Sequence, residues 1–333
     1  MALIRRMEES RGSRILVYIT GDRTGLQTKM ATDAFPFALN HLMRIGQQEK
    51  IDLFIYSTGG ITMAGYALVN IMREFCEYLG VLIPFKALST ATLVALGADE
   101  VVMTRIGQLS PIDPSVASPL GPQIPVQGQP GVGQAIPVNV EDVIGYLDLA
   151  RHELDLKDED SLVRVFDRLS QDVHPLTLGQ VSRIREQIGF LARTLLESHM
   201  DEKVRIDNII DILTKGRFSH SYVIGRKEAK EVLQLNIADV SDESENDILA
   251  LYGEYNEILQ LSSPYQTESV LAEGDVATAT FDLAIIESID LTQVFRTTRE
   301  VKRVTVEPPQ VPVPTVGYLE RIISQSWVED NKI

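Results

Sequence analysis

Four apolar, β-rich runs alternate with segments of helical period, and that alternation narrows the fold to an α/β class. The runs are residues 14–20 (RILVYIT), 51–57 (IDLFIYS), 81–88 (VLIPFKAL) and 100–106 (EVVMTRI). Between them lie helical patterns at 30–48, with Pro36 near its start, at 61–79 and at 90–98. Strand–helix–strand alternation of this kind implies parallel strands joined by right-handed crossovers. The carboxyl ends of such strands emerge on one edge of the sheet. Gly59-Gly60, after the second run, and Ser89, after the third, are therefore expected to be neighbours although far apart in sequence.

The 333 residues suffice for two domains or one elaborated α/β unit, and 44% apolar residues suffice for a sizeable core. A formal net charge of −16 argues against nucleic acid or an anionic membrane as the main partner. The single cysteine, Cys76, rules out an internal disulfide framework and a multi-cysteine metal site. It falls at helical spacing with Ile71, Met72 and Phe75, which reads as a buried structural thiol, and one reduced cysteine fits a cytoplasmic location. The N-terminus lacks the apolar core of a signal peptide. The apolar tract 79–98 is broken by Pro84, Lys86 and Ser89-Thr90, so it reads as strand, turn and buried helix rather than a membrane span.

Residues 115–139 are rich in Pro, Gly and Gln and carry no charge, as expected of a long surface loop that serves as a lid or is an inert insertion. A mainly helical region follows, with helical patterns at 141–154, 160–173, 177–200, 205–216 and 226–235. The acidic stretch 239–247 looks like a boundary. Beyond it come a helix near 247–261, β-rich runs at 277–291 and 293–307, a proline-rich linker at 308–317, and an amphipathic helical pattern at 318–330 (YLERIISQSWVED).

Acyl transfer by serine needs a base for the hydroxyl and fixed donors for the oxyanion. A serine at the head of a helix meets the second need, because the first-turn N–H groups are unpaired and the helix dipole favours negative charge. If Ser89 opens the helix at 90–98, the N–H of Thr90 is a natural donor. Two glycines directly after a buried strand let backbone approach a ligand closely, which makes 57–60 (STGG) a source of the second donor. Each feature also has a plain reading: Ser89 as an N-cap, and Gly59-Gly60 as a strand-to-helix turn capped by Ser57 or Thr62. No metal site, Walker loop or Rossmann fingerprint is present in the sequence, and no cofactor is expected.

Residues 52–72 and 81–115 resemble the Clp/crotonase superfamily. Within it they are most similar to the serine dehydrogenase proteinase family, relatives of signal-peptide peptidase A. The resemblance is carried by Ser89-Thr90-Ala91-Thr92, then Ala98-Asp99-Glu100-Val101-Val102-Met103, then Pro111-Ile112-Asp113-Pro114, with further likeness at 173–188 and 219–235. It implies a Clp/crotonase-like ββα spiral core over residues 1–240, with a mainly helical middle region. Residues 241–333 are then a small C-terminal α+β extension or oligomerisation arm. It also implies an ATP-independent serine peptidase acting on peptide or protein substrates, with Ser89 as nucleophile and Gly59, Gly60 and Thr90 lining the oxyanion hole. A homo-oligomer is implied as well.

The departures concern the base. Where Clp proteases place histidine this chain has Asp113, and an ordinary aspartate, with a reference pKa of about 3.9, is a poor base for a hydroxyl. No lysine lies between Lys86 and Lys157, and Asn236 stands near the place of the triad aspartate. The candidates are His174 and His220, with Asp113 as an orienting carboxylate or a turn residue; Lys215 and Lys227 are weaker. His41, His152 and His199 fall in amphipathic helical patterns. The missing histidine leaves open an alternative, a catalytically impaired oligomeric scaffold on the same fold. A third possibility, crotonase-type acyl-CoA chemistry, would require CoA-thioester binding.

Overall fold

Each of the four early runs is a strand: β1 (Arg14–Thr20), β2 (Gln48–Tyr56), β3 (Cys76–Ile83) and β4 (Glu100–Met103). In the computed structural model they pair in parallel in that order, with Ile15 opposite Asp52, Leu53 opposite Val81 and Leu82 opposite Val102. The structure describes residues 1–112, 115–116, 118–125, 133–214, 222–271, 274–306 and 315–330. Asp113, Lys215, His220, most of the 308–317 linker and residues 126–132 of the 115–139 stretch lie outside them.

The strands are joined by helices α2 (Phe35–Ile45), α3 (Thr62–Arg73) and α4 (Thr90–Leu96). Pro36 sits in the first turn of α2, where its missing N–H costs nothing, and Gly46 ends that helix at φ +73°. The other face of the sheet is covered by α1 (Ala2–Arg11) and α9 (Asp242–Leu259). Ile4, Met7, Ile248, Leu251 and Tyr255 pack there on Ile15, Val17, Ile19, Phe54 and Leu82. Burial on both faces explains why β1 reads as a continuous apolar run rather than an alternating one.

The sheet does not end at β1. Three long C-terminal strands extend it: β5 (Val276–Ser288), β6 (Leu291–Val306) and β7 (Thr315–Glu329), giving the order β7-β6-β5-β1-β2-β3-β4. β5 pairs antiparallel with β1, Tyr18 opposite Ile286, and β5, β6 and β7 are antiparallel to one another. The segment 318–330, expected to be an amphipathic helix, is therefore an edge strand. Cys76, expected on a helix, is the first residue of β3; its thiol is buried against Met72 O, and burial pushes its pKa up.

The chain forms two compact units, Met1–Leu109 with Ile224–Ile333, and Ser110–Val223. The second is mainly helical, with α5 (Val140–Asp148), α6 (Glu159–Asp172), α7 (Pro175–Glu197) and α8 (Lys203–Thr214). Within the 115–139 stretch, Ser115–Val116 pairs with Val138–Asn139 and Gln123–Pro125 with Gly133–Ala135.

Candidate active site

The site is built where β2 and β3 end. Past Tyr56 and Ile83 the two segments stay together through a bridge between Ser57 and Ala87. Ser57 N donates to Lys86 O at 2.9 Å and Leu88 N donates to Ser57 O at 3.0 Å. They then separate, one turning through Gly59-Gly60 into α3 and the other through Ser89 into α4. This is the shared strand edge expected from the crossover pattern, and it brings Gly59 against Ser89.

Both glycines are required by geometry. Gly59 has φ +110°, and a Cβ there would stand 2.8 Å from Ser89 Cβ and 3.2 Å from Ser89 Oγ. Gly60 lies against the segment after β1: Met30 N donates to Gly59 O at 2.9 Å, Ile61 N donates to Met30 O at 2.9 Å, and a Cβ on Gly60 would meet Met30 O at 2.2 Å. One position excludes side chains by its dihedral and its neighbour, the other by backbone approach.

Ser89 has φ 52° and ψ −113°, a conformation L-residues seldom adopt. Holding it there costs on the order of 1–3 kcal/mol, and such strain persists only where the surroundings impose it. An N-cap serine has extended backbone and accepts a hydrogen bond from the first turn. Ser89 has neither property, since its side chain makes no cap hydrogen bond with α4. A strained serine at a sharp strand-to-helix turn is the backbone arrangement in which α/β-hydrolases hold their nucleophile.

Threonines brace the entry to α4. Thr90 Oγ1 donates to Gly60 O at 2.9 Å, and Thr92 Oγ1 donates to Ala87 O at 2.7 Å. All seven residues of α4 are buried, so the helix has no freedom to rotate away from the glycine turn. The N–H of Gly59 donates to Ser57 Oγ at 3.0 Å. Among the described residues, no acceptor receives the N–H of Gly60 or of Thr90.

The nearest cationic side chain in sequence, Lys86, is committed elsewhere. Its Nζ lies 2.6 Å from Asp22 Oδ2, and the Tyr56 hydroxyl donates to Asp22 Oδ1 at 2.8 Å. Burial, reinforced by Asp22, pushes the Tyr56 hydroxyl far above the ordinary phenol range. Lys86 thus serves as an ion-pair partner at this edge.

His174 is the N-cap of α7, before Pro175 at its first turn, and its Nδ1 accepts from Leu176 N at 3.2 Å. It belongs to the Ser110–Val223 unit, whereas Ser89, Gly59, Gly60 and Thr90 belong to the other. His41 is fully buried on α2, with Nδ1 2.8 Å from Ser288 Oγ. Sequence reasoning treated Ser57 as a possible helix cap and passed over Thr20 and Met30. Ser57 instead caps the glycine turn, and only the bridge between Met30 and Gly60 shows that the chain after β1 takes part. Nothing in the local pattern at 21–31 signals that bridge.

The seven-stranded sheet with a parallel half, whose strand edge holds a strained serine at a helix head against a Gly-Gly turn, makes this a mixed α/β protein. Residues 1–126 match the family described as ClpP-like SDH-type serine proteinase. Two archaeal proteins of Methanocaldococcus jannaschii are similar as well. The uncharacterized protein MJ0137 is 26% identical over 186 residues, 56% of this chain and 53% of its own length. The uncharacterized protein MJ1495 is 23% identical over 241 residues, 69% of this chain and 68% of its own. The chain thus spans about half the length of the first relative and about two thirds of the second.

Proposed function

We propose that the protein is a serine peptidase of the Clp/crotonase-like spiral fold that cleaves peptide bonds through an acyl-enzyme on Ser89. The observation that carries this reading is the backbone of Ser89: φ 52°, no cap bond, and Gly59 packed on its side chain. A serine serving only its helix has no need of that strain. In the reaction the Ser89 hydroxyl loses its proton to a base as Oγ attacks the scissile carbonyl. The amine leaves with a proton returned by the base, and water then hydrolyses the ester. The N–H groups of Gly60 and Thr90 donate to the oxyanion, with Gly59 lining the hole; the Gly59 amide is already engaged by Ser57.

The base is drawn from His174 and His220, with Asp113 as an orienting carboxylate. A homo-oligomer and a cytoplasmic location are part of the same reading. Among the described residues no helix is long and apolar enough to cross a membrane.

Labelling by a fluorophosphonate probe tests the assignment. The intact protein is labelled and Ser89→Ala is not; labelling that survives the substitution rules Ser89 out as nucleophile. Single substitutions His174→Ala, His220→Ala and Asp113→Asn then find the base, as the position whose loss silences an otherwise folded protein. The scaffold alternative, favoured by aspartate at position 113, predicts no labelling of the intact protein and a stable assembly that binds a partner.

A further inference from the structure

Thr20 and Ser57 are both buried and polar, and neither has a role in the proposed chemistry. Thr20, the last residue of β1, donates through Oγ1 to Ser57 Oγ at 2.7 Å. Ser57 Oγ in turn accepts the N–H of Gly59 at 3.0 Å, two residues on, and lies 3.4 Å from Gly59 O. A serine hydroxyl that accepts from the N–H of residue i+2 forms a side-chain-closed turn. Here that turn is the one that places Gly59 at φ +110°.

We propose that Thr20 and Ser57 are positioning residues that aim the Gly60 amide at the oxyanion formed on Ser89, an inference that rests on the peptidase reading. The peptide unit between Gly59 and Gly60 is planar and trans, so its C=O and N–H point in opposite directions. Its carbonyl is anchored by Met30 N at 2.9 Å. The preceding amide is anchored by Ser57. With both sides of Gly59 held, the Gly60 N–H has one direction, away from the Met30 segment. The carbonyl of Gly60 is held separately by Thr90 Oγ1 at 2.9 Å, which ties the turn to the helix carrying the second donor. Glycine alone would let this turn flip; the relay from Thr20 through Ser57 removes that freedom before substrate arrives. Preorganised donors are worth more than donors that must reorient during reaction.

The test uses the full chain and a rhodamine fluorophosphonate, whose phosphonyl oxygen needs the same donors as a tetrahedral intermediate. Thr20→Val keeps the shape of the side chain and removes the hydroxyl; Ser57→Ala removes the acceptor. Both are expected to lower the second-order labelling rate about tenfold or more while remaining folded by thermal melting, and Thr20→Ser is expected to restore the rate lost in Thr20→Val. A merely structural role would lower the melting temperature and leave the labelling rate of the folded protein unchanged. Folded Thr20→Val and Ser57→Ala that label at the rate of the intact protein would overturn the positioning role and leave the peptidase reading standing. An intact protein that never labels would overturn both.

Discussion

Gly59 and Ser89 are packed so closely that a single added methyl on the glycine would stand 2.8 Å from the serine Cβ. Gly59→Ala must therefore either move the serine or flip the turn, and its φ of +110° penalises any L side chain as well. The variant is expected to lose about 1–3 kcal/mol of stability from the backbone. A displacement of the reacting group by an ångström can cost about a hundredfold in rate, so its fluorophosphonate labelling should fall by that order. A melting curve beside a labelling time course checks both, and unimpaired labelling would show that the contact does not set the site.

The strain at Ser89 makes a separable prediction about stability. Replacing Ser89 by Ala removes the hydroxyl but keeps the Cβ in its strained backbone. Replacing it by Gly removes both. Glycine adopts φ 52° freely, so Ser89→Gly should be more stable than Ser89→Ala by about 1 kcal/mol, after glycine's own entropic cost. Neither variant should label. Urea unfolding of the pair measures the difference, and equal stabilities would mean the turn holds no strain to release.

Much of this site was legible because parallel crossovers leave little choice: alternating strands and helices force the ends of β2 and β3 to one edge, and with them Gly59 and Ser89. The backbone of Ser89 was not legible, since a serine before a small-residue helix looks the same whether it caps that helix or is lifted off it. The misreading of 318–330 has a local cause. Thr298 faces Ser324 and Arg299 faces Ile322, so Ile323 is an extra residue in β7. A bulge shifts side-chain parity by one. The adjacent apolar pair Ile322-Ile323 thereby breaks strand alternation and imitates helical spacing. Nor does any local pattern announce that β5 will pair with β1, because that contact joins residues more than two hundred and fifty positions apart.

His41 should leave a mark on acid stability. It is fully buried on α2, and burial, aided by Arg44, lowers its pKa to about 4 from the ordinary 6.5. The unfolded chain binds this proton more readily than the folded one, so stability falls as pH drops from about 6.5 towards 4, by about 3 kcal/mol in all. His41→Gln, which retains a partner for Ser288 Oγ, should flatten that part of the curve. Unfolding free energies measured at half-unit steps of pH decide it; the same slope in the variant would assign the effect to another group.

The opposite edge of the parallel strands, away from Ser89, is held by an ion cluster around a carboxylate with no exposure. Asp52 Oδ2 accepts from Arg11 Nε at 2.5 Å and from Ser13 Oγ at 2.6 Å, and its Oδ1 accepts from Arg11 Nη2 at 3.1 Å. Arg11 also reaches Glu100 at 2.5 Å, and Lys50 reaches the same Glu100 oxygen at 3.3 Å. Burial opposes ionisation of Glu100, but Arg11 and Lys50 outweigh it and hold the carboxyl below its ordinary range. Removing one partner of a buried pair costs up to about 3–5 kcal/mol when the other is left unpaired; Arg11 keeps Glu100, so Asp52→Ala should destabilise the fold by about the lower end of that range. The double variant Arg11→Ala/Asp52→Ala should cost less than the sum of the singles, because each single already loses the same Arg11–Asp52 pair. Glu100 sets the pH window: a depressed carboxylate contributes stability above the unfolded value of about 4.3 and loses it as pH falls further. Its effect therefore begins where that of His41 ends, and Glu100→Gln should change the urea midpoint at neutral pH while flattening only the most acidic limb. Additive single and double variants, or a flat acidic limb in the intact protein, would show that these charges are bystanders to the fold.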